Sequence, residues 1–186
     1  MRRLDLVVGP NGSGKTTFVE QRLAPLLPGS VFVNADVIAK ERWPESPEEH
    51  SYEAARIAAD IRNSLVAQGE SFIAETVFSH PSKLELVDAA RRAGYVVVLH
   101  VIMVPVELSV ARVAVRVTEG GHHVPEDKIH ERFDRLWPLV AEAIRRSDHA
   151  TVYDNSAPDI TRISAKFVEG DLVGESSWPA WAPTLS

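Results

Sequence analysis

Residues 9–17 read Gly-Pro-Asn-Gly-Ser-Gly-Lys-Thr-Thr. Glycines at this spacing let a backbone wrap around an anion with successive N–H groups pointing inward. A lysine and a hydroxyl at its end reach further along a polyphosphate. Lys15 is placed for the β- and γ-phosphates and the Thr16 hydroxyl for Mg²⁺, with Thr17 adding a contact to the α-phosphate. The string satisfies G-x-x-x-x-G-K-[ST] from Gly9 through Pro10, Asn11, Gly12, Ser13 and Gly14 to Lys15 and Thr16. It follows an apolar run and precedes a helical pattern, which is the context the motif needs. A nucleoside triphosphate is its expected ligand. Two common alternatives are excluded: no aliphatic strand closes on Asp-Glu, as in motor and transporter ATPases, and no N-K-x-D guanine motif occurs.

Two further acids end apolar runs. Asp36 closes Phe32-Val33-Asn34-Ala35-Asp36, where it can accept the proton of a substrate hydroxyl, help to hold Mg²⁺ or cap a helix. Glu75 and Thr76 close Phe72-Ile73-Ala74, a hydrophobic-then-acidic pattern that suits either a metal or a substrate contact. Phosphoryl transfer also needs cations over the γ-phosphate. Arg112 and Arg116, four residues apart, share one helix face. They lead into Gly120-Gly121-His122-His123, and Arg132 and Arg135 lie on the helix that leaves it. This spacing predicts a helical lid over about residues 112–135, with Arg116, Arg112 and Arg132 as its catalytic arginines. Adjacent histidines without an acidic partner at ligand spacing read as a turn rather than as a metal site.

The elements that must position these groups alternate. Short β-branched runs at Leu4–Val8, Ser30–Asn34, Ser71–Ala74, Tyr95–Val104 and Thr151–Tyr153 read as strands. Helices are expected from Lys15 to about Leu27, over Ser51–Gln68, after Pro81, over Val106–Val117 and over Pro125–Arg146. Such alternation implies right-handed crossovers and an α/β three-layer sandwich, a P-loop NTPase fold of nucleotide-kinase type. Its central sheet is expected to be mostly parallel with five strands. Ala165–Val173 reads as a marginal edge strand. Residues 1–174 form one expected domain, with a tail over 175–186 docked by Trp178 and Trp181.

A chain of 186 residues suits one domain. It carries 20 Lys+Arg against 26 Asp+Glu, a formal charge of −6, which makes a nucleic-acid or membrane partner unlikely on field strength alone. It has no cysteine, so disulfides, thiolate metal sites and cysteine nucleophiles are all excluded. The longest apolar run, 95–106, is too short to span a bilayer. A cytoplasmic protein is the expectation.

Taken together, Gly9–Thr17, Phe32–Asp36, Glu75-Thr76, Arg112–Arg116, Gly120-Gly-His-His-Val-Pro125 and Tyr153–Ser156 resemble the zeta-toxin-like P-loop kinases in content and order. The similarity is greatest to a small bacterial branch labelled predicted ABC-type ATPase, and it covers roughly residues 3–160. The resemblance implies ATP- and Mg²⁺-dependent phosphorylation of a sugar hydroxyl, best known for UDP-N-acetylglucosamine. By it Asp36 is the general base, Lys15 and the lid arginines stabilise the transferring group, and Glu75 and Thr76 contact substrate. Asp154-Asn155 would lie near the base or support the phosphate loop. Ser79-His80-Pro81 stands where toxins often carry an arginine. The leading expectation is therefore a kinase with ATP and Mg²⁺ as its cofactors and a small-molecule hydroxyl as its acceptor. The alternatives are a kinase acting on nucleic-acid ends or an antibiotic, and a nucleotide-binding regulatory protein paired with an antitoxin.

Overall fold

The structure is a computed structural model that describes residues 1–118, 124–158 and 160–185. β1 (Arg3–Val8) runs to the phosphate loop and α1 (Lys15–Phe18). The expected helix to Leu27 continues beyond α1 as a π turn over Val19–Leu23 and a 3₁₀ turn over Ala24–Leu26. Pro25 lacks the N–H an α-helix would need there. β2 (Val31–Asn34) leads into α2 (Ala35–Arg42), and α3 (Ser51–Gln68) leads into β3 (Phe72–Thr76). Then follow α4 (Ser82–Arg92), β4 (Val96–Met103), α5 (Val106–Thr118), α6 (Glu126–Arg146), β5 (His149–Asp154), β6 (Arg162–Val168) and β7 (Asp171–Leu172).

The sheet runs β2-β3-β1-β4-β5-β6-β7. The first five strands are parallel, as the alternation requires, while β5–β6 and β6–β7 pair antiparallel. The five-strand expectation is thus corrected to seven. The marginal edge strand is a hairpin turned at Glu169-Gly170, where both residues take positive φ. Chain beyond β7 stays attached: the Ser177 N–H donates to the Ser164 carbonyl at 2.8 Å. Leu185 is buried in the main core, with Trp181 packed against it.

Side chains alternate across β1. Leu4, Leu6 and Val8 enter the large core under α3, α4 and α6, with Phe72, Leu99, Leu136 and Val140. Val7 faces the opposite side, with Phe18, Val19, Leu23, Ile73 and Ile102 beneath α1. That second face also holds a polar group. Asp5, which is buried, accepts from Arg3 at 2.6 and 2.7 Å and pairs with His100 Nε2 at 2.9 Å. The His100 ring lies 5.6 Å from Phe18, which is 4.9 Å from Tyr153. Burial alone would raise the Asp5 carboxyl, but the bonds from His100 and Arg3 outweigh it and hold Asp5 below its ordinary value.

The chain leaves β1 for β2, two places away, and later crosses to β4 on β1's other side. The carboxyl end of β1 is therefore the point where strand order reverses, and a crevice opens there.

Candidate active site

The phosphate loop sits in that crevice. A Cβ on Gly9 would lie 2.3 Å from the Ile102 carbonyl oxygen, so only glycine lets the loop pass under the end of β4. Gly14, at φ 87°, is the N-cap of α1, and a Cβ there would lie 2.6 Å from Asn155 Nδ2. Asn155 holds the loop from outside: its side-chain amide donates to the Ser13 carbonyl at 2.8 Å, and its own N–H to the Met103 carbonyl at 2.9 Å. Ser109 Oγ donates to the Asn11 carbonyl.

Lys15 is only 7% exposed, and its Nζ donates to the Pro10 carbonyl at 2.8 Å. Burial lowers its pKa, Arg116 pushes the same way, and Glu75 and Asp36 oppose them. Glu75, 9% exposed at the end of β3, accepts from Thr16 Oγ1 at 3.0 and 3.1 Å and from Asn34 Nδ2 at 2.8 Å. Burial raises its carboxyl against the pull of Lys15 and of those two bonds, and Asp36 adds to the rise. Asn34 has a second role. Its Oδ1 accepts from the Asp36 N–H at 2.7 Å and weakly from Val37, so Asn34, not Asp36, caps α2. The Asp36 carboxylate stays exposed in the first helical turn, free of capping duty. Lys15, Glu75, Asp36 and Arg116 thus lie near enough to act on one another's charge.

The remaining predicted residues separate. Thr76 Oγ1 accepts weakly from the Phe78 N–H at 3.4 Å. Phe78 is fully buried at φ 66°, a strained conformation for a bulky side chain held in place by the core. Arg112 turns toward Asn155, donating from Nη1 to its carbonyl at 3.1 Å. Arg132 is half-buried on α6, with no hydrogen bond or ion pair to the phosphate-loop residues among those described. Arg135 pairs with Glu131 at 3.3 Å. The tip Gly120-Gly121-His122-His123 lies outside the described residues.

A cavity of about 520 Å³ opens beside the loop, walled by Gly14, Phe18, Gln21, Arg22, Arg112 and Asn155 and closed by Pro158, Ile160 and Thr161. Its size and position, next to the end of the polyphosphate site, suit a nucleoside. The Thr161 hydroxyl donates to Asn155 Oδ1 at 2.8 Å, tying this wall to the loop. Gln21, Arg22, Pro158, Ile160 and Thr161 carry no motif, whereas Gly14, Arg112 and Asn155 were marked by sequence.

The residues fit a phosphate ligand. The Ser13 hydroxyl, within the loop, is buried without a partner. They also fit Mg²⁺ in the manner of phosphate-bound magnesium, which takes one or two protein oxygens and fills its shell with water and phosphate. No cluster of three His, Cys, Asp or Glu side chains able to hold a metal by itself occurs among the described residues.

The zeta toxin family pattern matches residues 2–162. This chain belongs to the zeta toxin family. A Haemophilus influenzae protein is 29% identical over 126 residues, which cover 67% of this chain and 88% of that one. Among solved structures, the AvrRxo1-ORF1:ORF2 complex with ATP superposes at TM-score 0.72 and 18% identity, over 94% of this chain and 61% of that one. The PezAT toxin–antitoxin system of Streptococcus pneumoniae gives 0.60 at 15%, over 87% and 71%. Shikimate kinase from Acinetobacter baumannii, bound to shikimate, gives 0.53 at 23%, over 77% and 80%. At these identities the structural likeness is one of fold. The chain spans about 61% of the length of the AvrRxo1 protein it matches. The fold is shared with P-loop kinases, shikimate kinase among them. No described helix is long and apolar enough to cross a membrane.

Proposed function

We propose that the protein transfers the γ-phosphoryl group of ATP to a hydroxyl of a small molecule, with Asp36 as general base. The observation that carries this reading is the convergence of Lys15, Glu75, Asp36 and Arg116 at the carboxyl end of β1 and β3, where each bears on another's charge. Asp36 receives the hydroxyl proton as the acceptor oxygen bonds to phosphorus and the bond to the β-phosphate oxygen breaks. For this its carboxylate must be free of other duty, and the Asn34 cap relieves it of the helix end. Lys15 moves from the Pro10 carbonyl to the phosphates and meets the negative charge that spreads over them. Arg116 approaches the same oxygens from α5. Arg112 holds the nucleoside side instead, through Asn155.

Thr16 and Glu75 would hold Mg²⁺, which when bound neutralises charge on the β- and γ-phosphates. The Thr16–Glu75 hydrogen bonds favour this metal role for Glu75, with Thr76 left to face the acceptor. A nucleotide sugar of the UDP-N-acetyl type is the first acceptor to try, on the family resemblance. Cytoplasmic residence, where ATP is supplied, accompanies this reading. An antitoxin partner is a second element of the proposal, supported by the PezAT neighbour.

The test is transfer of label from γ-labelled ATP to a panel of UDP-sugars, nucleosides and oligonucleotides, with Asp36→Asn as control. Labelling of a small molecule that the variant abolishes is the expected result. Labelling of oligonucleotides alone, or ATP binding with no acceptor labelled, would replace the reading with one of its alternatives.

A further inference from the structure

Beyond Glu75 and Thr76, one pair of cations has no counter-charge. Arg62 lies on α3 and is 5% exposed. No hydrogen bond, ion pair or ring contact engages its side chain among the described residues. Lys83 stands half-buried in the first turn of α4, and its ammonium is likewise without an anionic partner among them. α3 packs directly against α4. Burial lowers the pKa of both groups, and the charge of Arg62 lowers Lys83 further, so the two charges lie within electrostatic reach across the α3–α4 packing.

Their place in the fold follows from chain direction. α3 leads straight into β3, so it runs antiparallel to that strand, with its N-terminal end at the sheet's carboxyl edge. Helical side chains lean toward their own N-terminus, which carries the Arg62 guanidinium toward that edge. α4 begins six residues after β3 ends, again at that edge. The first amides of α4 are already taken: Ser82 N–H donates to His80 Nδ1 at 3.2 Å, Lys83 N–H to the His80 carbonyl at 3.1 Å and Leu84 N–H to the Pro81 carbonyl at 2.9 Å. What the edge offers a ligand here is therefore side-chain charge and not a helix end.

A guanidinium 5% exposed, with no partner among the described residues and a second cation within reach of its charge, is costly unless something completes it. Carboxylate and phosphate match its planar fork of donors. We propose that Arg62 and Lys83 form an oxyanion site at the acceptor end of the fold, which takes a carboxylate or phosphate group of the molecule to be phosphorylated. Its assignment to the acceptor rests on the kinase reading, while the site itself is testable without turnover.

The test is thermal unfolding of the full chain with the phosphate loop saturated by the non-hydrolysable analogue AMP-PNP. Inorganic phosphate is added in one arm and succinate in the other. One of the two should raise the Tm of the native protein by a few degrees at millimolar concentration, and the effective arm names the oxyanion. The shift should at least halve in both Arg62→Met and Lys83→Met, and without added anion Arg62→Met should melt no lower than the native protein. Lys83, at the half-buried start of its helix, is the variant least at risk of misfolding. Absence of any shift in the native protein, or an equal shift in both variants, would overturn the site. Anion binding that depends on both residues, in a protein that labels no acceptor, would instead remove the kinase reading and leave the site standing.

Discussion

The two sides of the catalytic crevice are built differently. On the nucleotide side, the phosphate loop is held by other backbone and by amide side chains: Ile102 lies over Gly9, Asn155 donates to Ser13 and Ser109 to Asn11. Even the acid beneath it, Asp5, is fully engaged by Arg3 and His100. On the proposed acceptor side stand an exposed Asp36, a strained Phe78 and, without partners among the described residues, Arg62 and Lys83. The first side is held in shape by protein bonds before its ligand arrives, with the Ser13 hydroxyl left for that ligand to engage. On the proposed reading, the second stores electrostatic cost that an acceptor's anion would relieve, and a general triphosphate site and a selective acceptor site would divide the work in this way.

Substitutions should separate the two sides. The largest expected effect is that of Lys15→Met, which should lower phosphoryl transfer about a thousandfold, as loss of a preorganised charge donor does. Steady-state rates at saturating ATP measure it, and a loss below tenfold would deny Lys15 its place. Next comes Asp5→Asn. Removing one partner of a buried charge network costs about 3 kcal/mol, read from denaturant unfolding at neutral pH. The depressed Asp5 carboxyl contributes stability that is complete above its ordinary pKa and is lost as pH falls through its folded value. The acid limb of the stability profile should therefore flatten in the variant, and an unchanged limb would place the acid sensitivity elsewhere.

Asn155→Ala should be smaller. It leaves the Ser13 carbonyl and the Thr161 hydroxyl without their partner and costs about 1–2 kcal/mol, seen as a raised KM for ATP with kcat little changed. Smallest of all is Arg62→Met, whose stability in the absence of anion should match or exceed that of the native chain. A loss as large as that of Asp5→Asn would erase the contrast between the two sides.

The same contrast explains what could be read from sequence. The phosphate loop was legible because its glycines answer to backbone contacts that no other residue tolerates, and the parallel core because continuous apolar runs demand cover on both faces. The boundaries of β3 and the hairpin of β6 and β7 were not legible. Glu75 and Thr76 prolong a strand into the site, and the half-exposed pattern of β6 is weak in any linear reading. The turns after α1 depend on how Pro25 is accommodated. Arg62 looked like one more polar position on an amphipathic helix, since burial without a partner is a property of packing between α3 and α4. Arg112 and Arg116 share a helix face, yet one bonds Asn155 while the other bears on the charge of Lys15, a distinction set by tertiary placement alone.

The central claim is that Asp36, released from capping by Asn34, takes the acceptor's proton. Asp36→Asn keeps the shape of α2 and leaves the phosphate loop untouched. In the γ-phosphate transfer assay with the acceptor found by screening, the account predicts ATP affinity within about threefold of native and a kcat lower by about a hundredfold or more. Transfer at the native rate by this variant would contradict it.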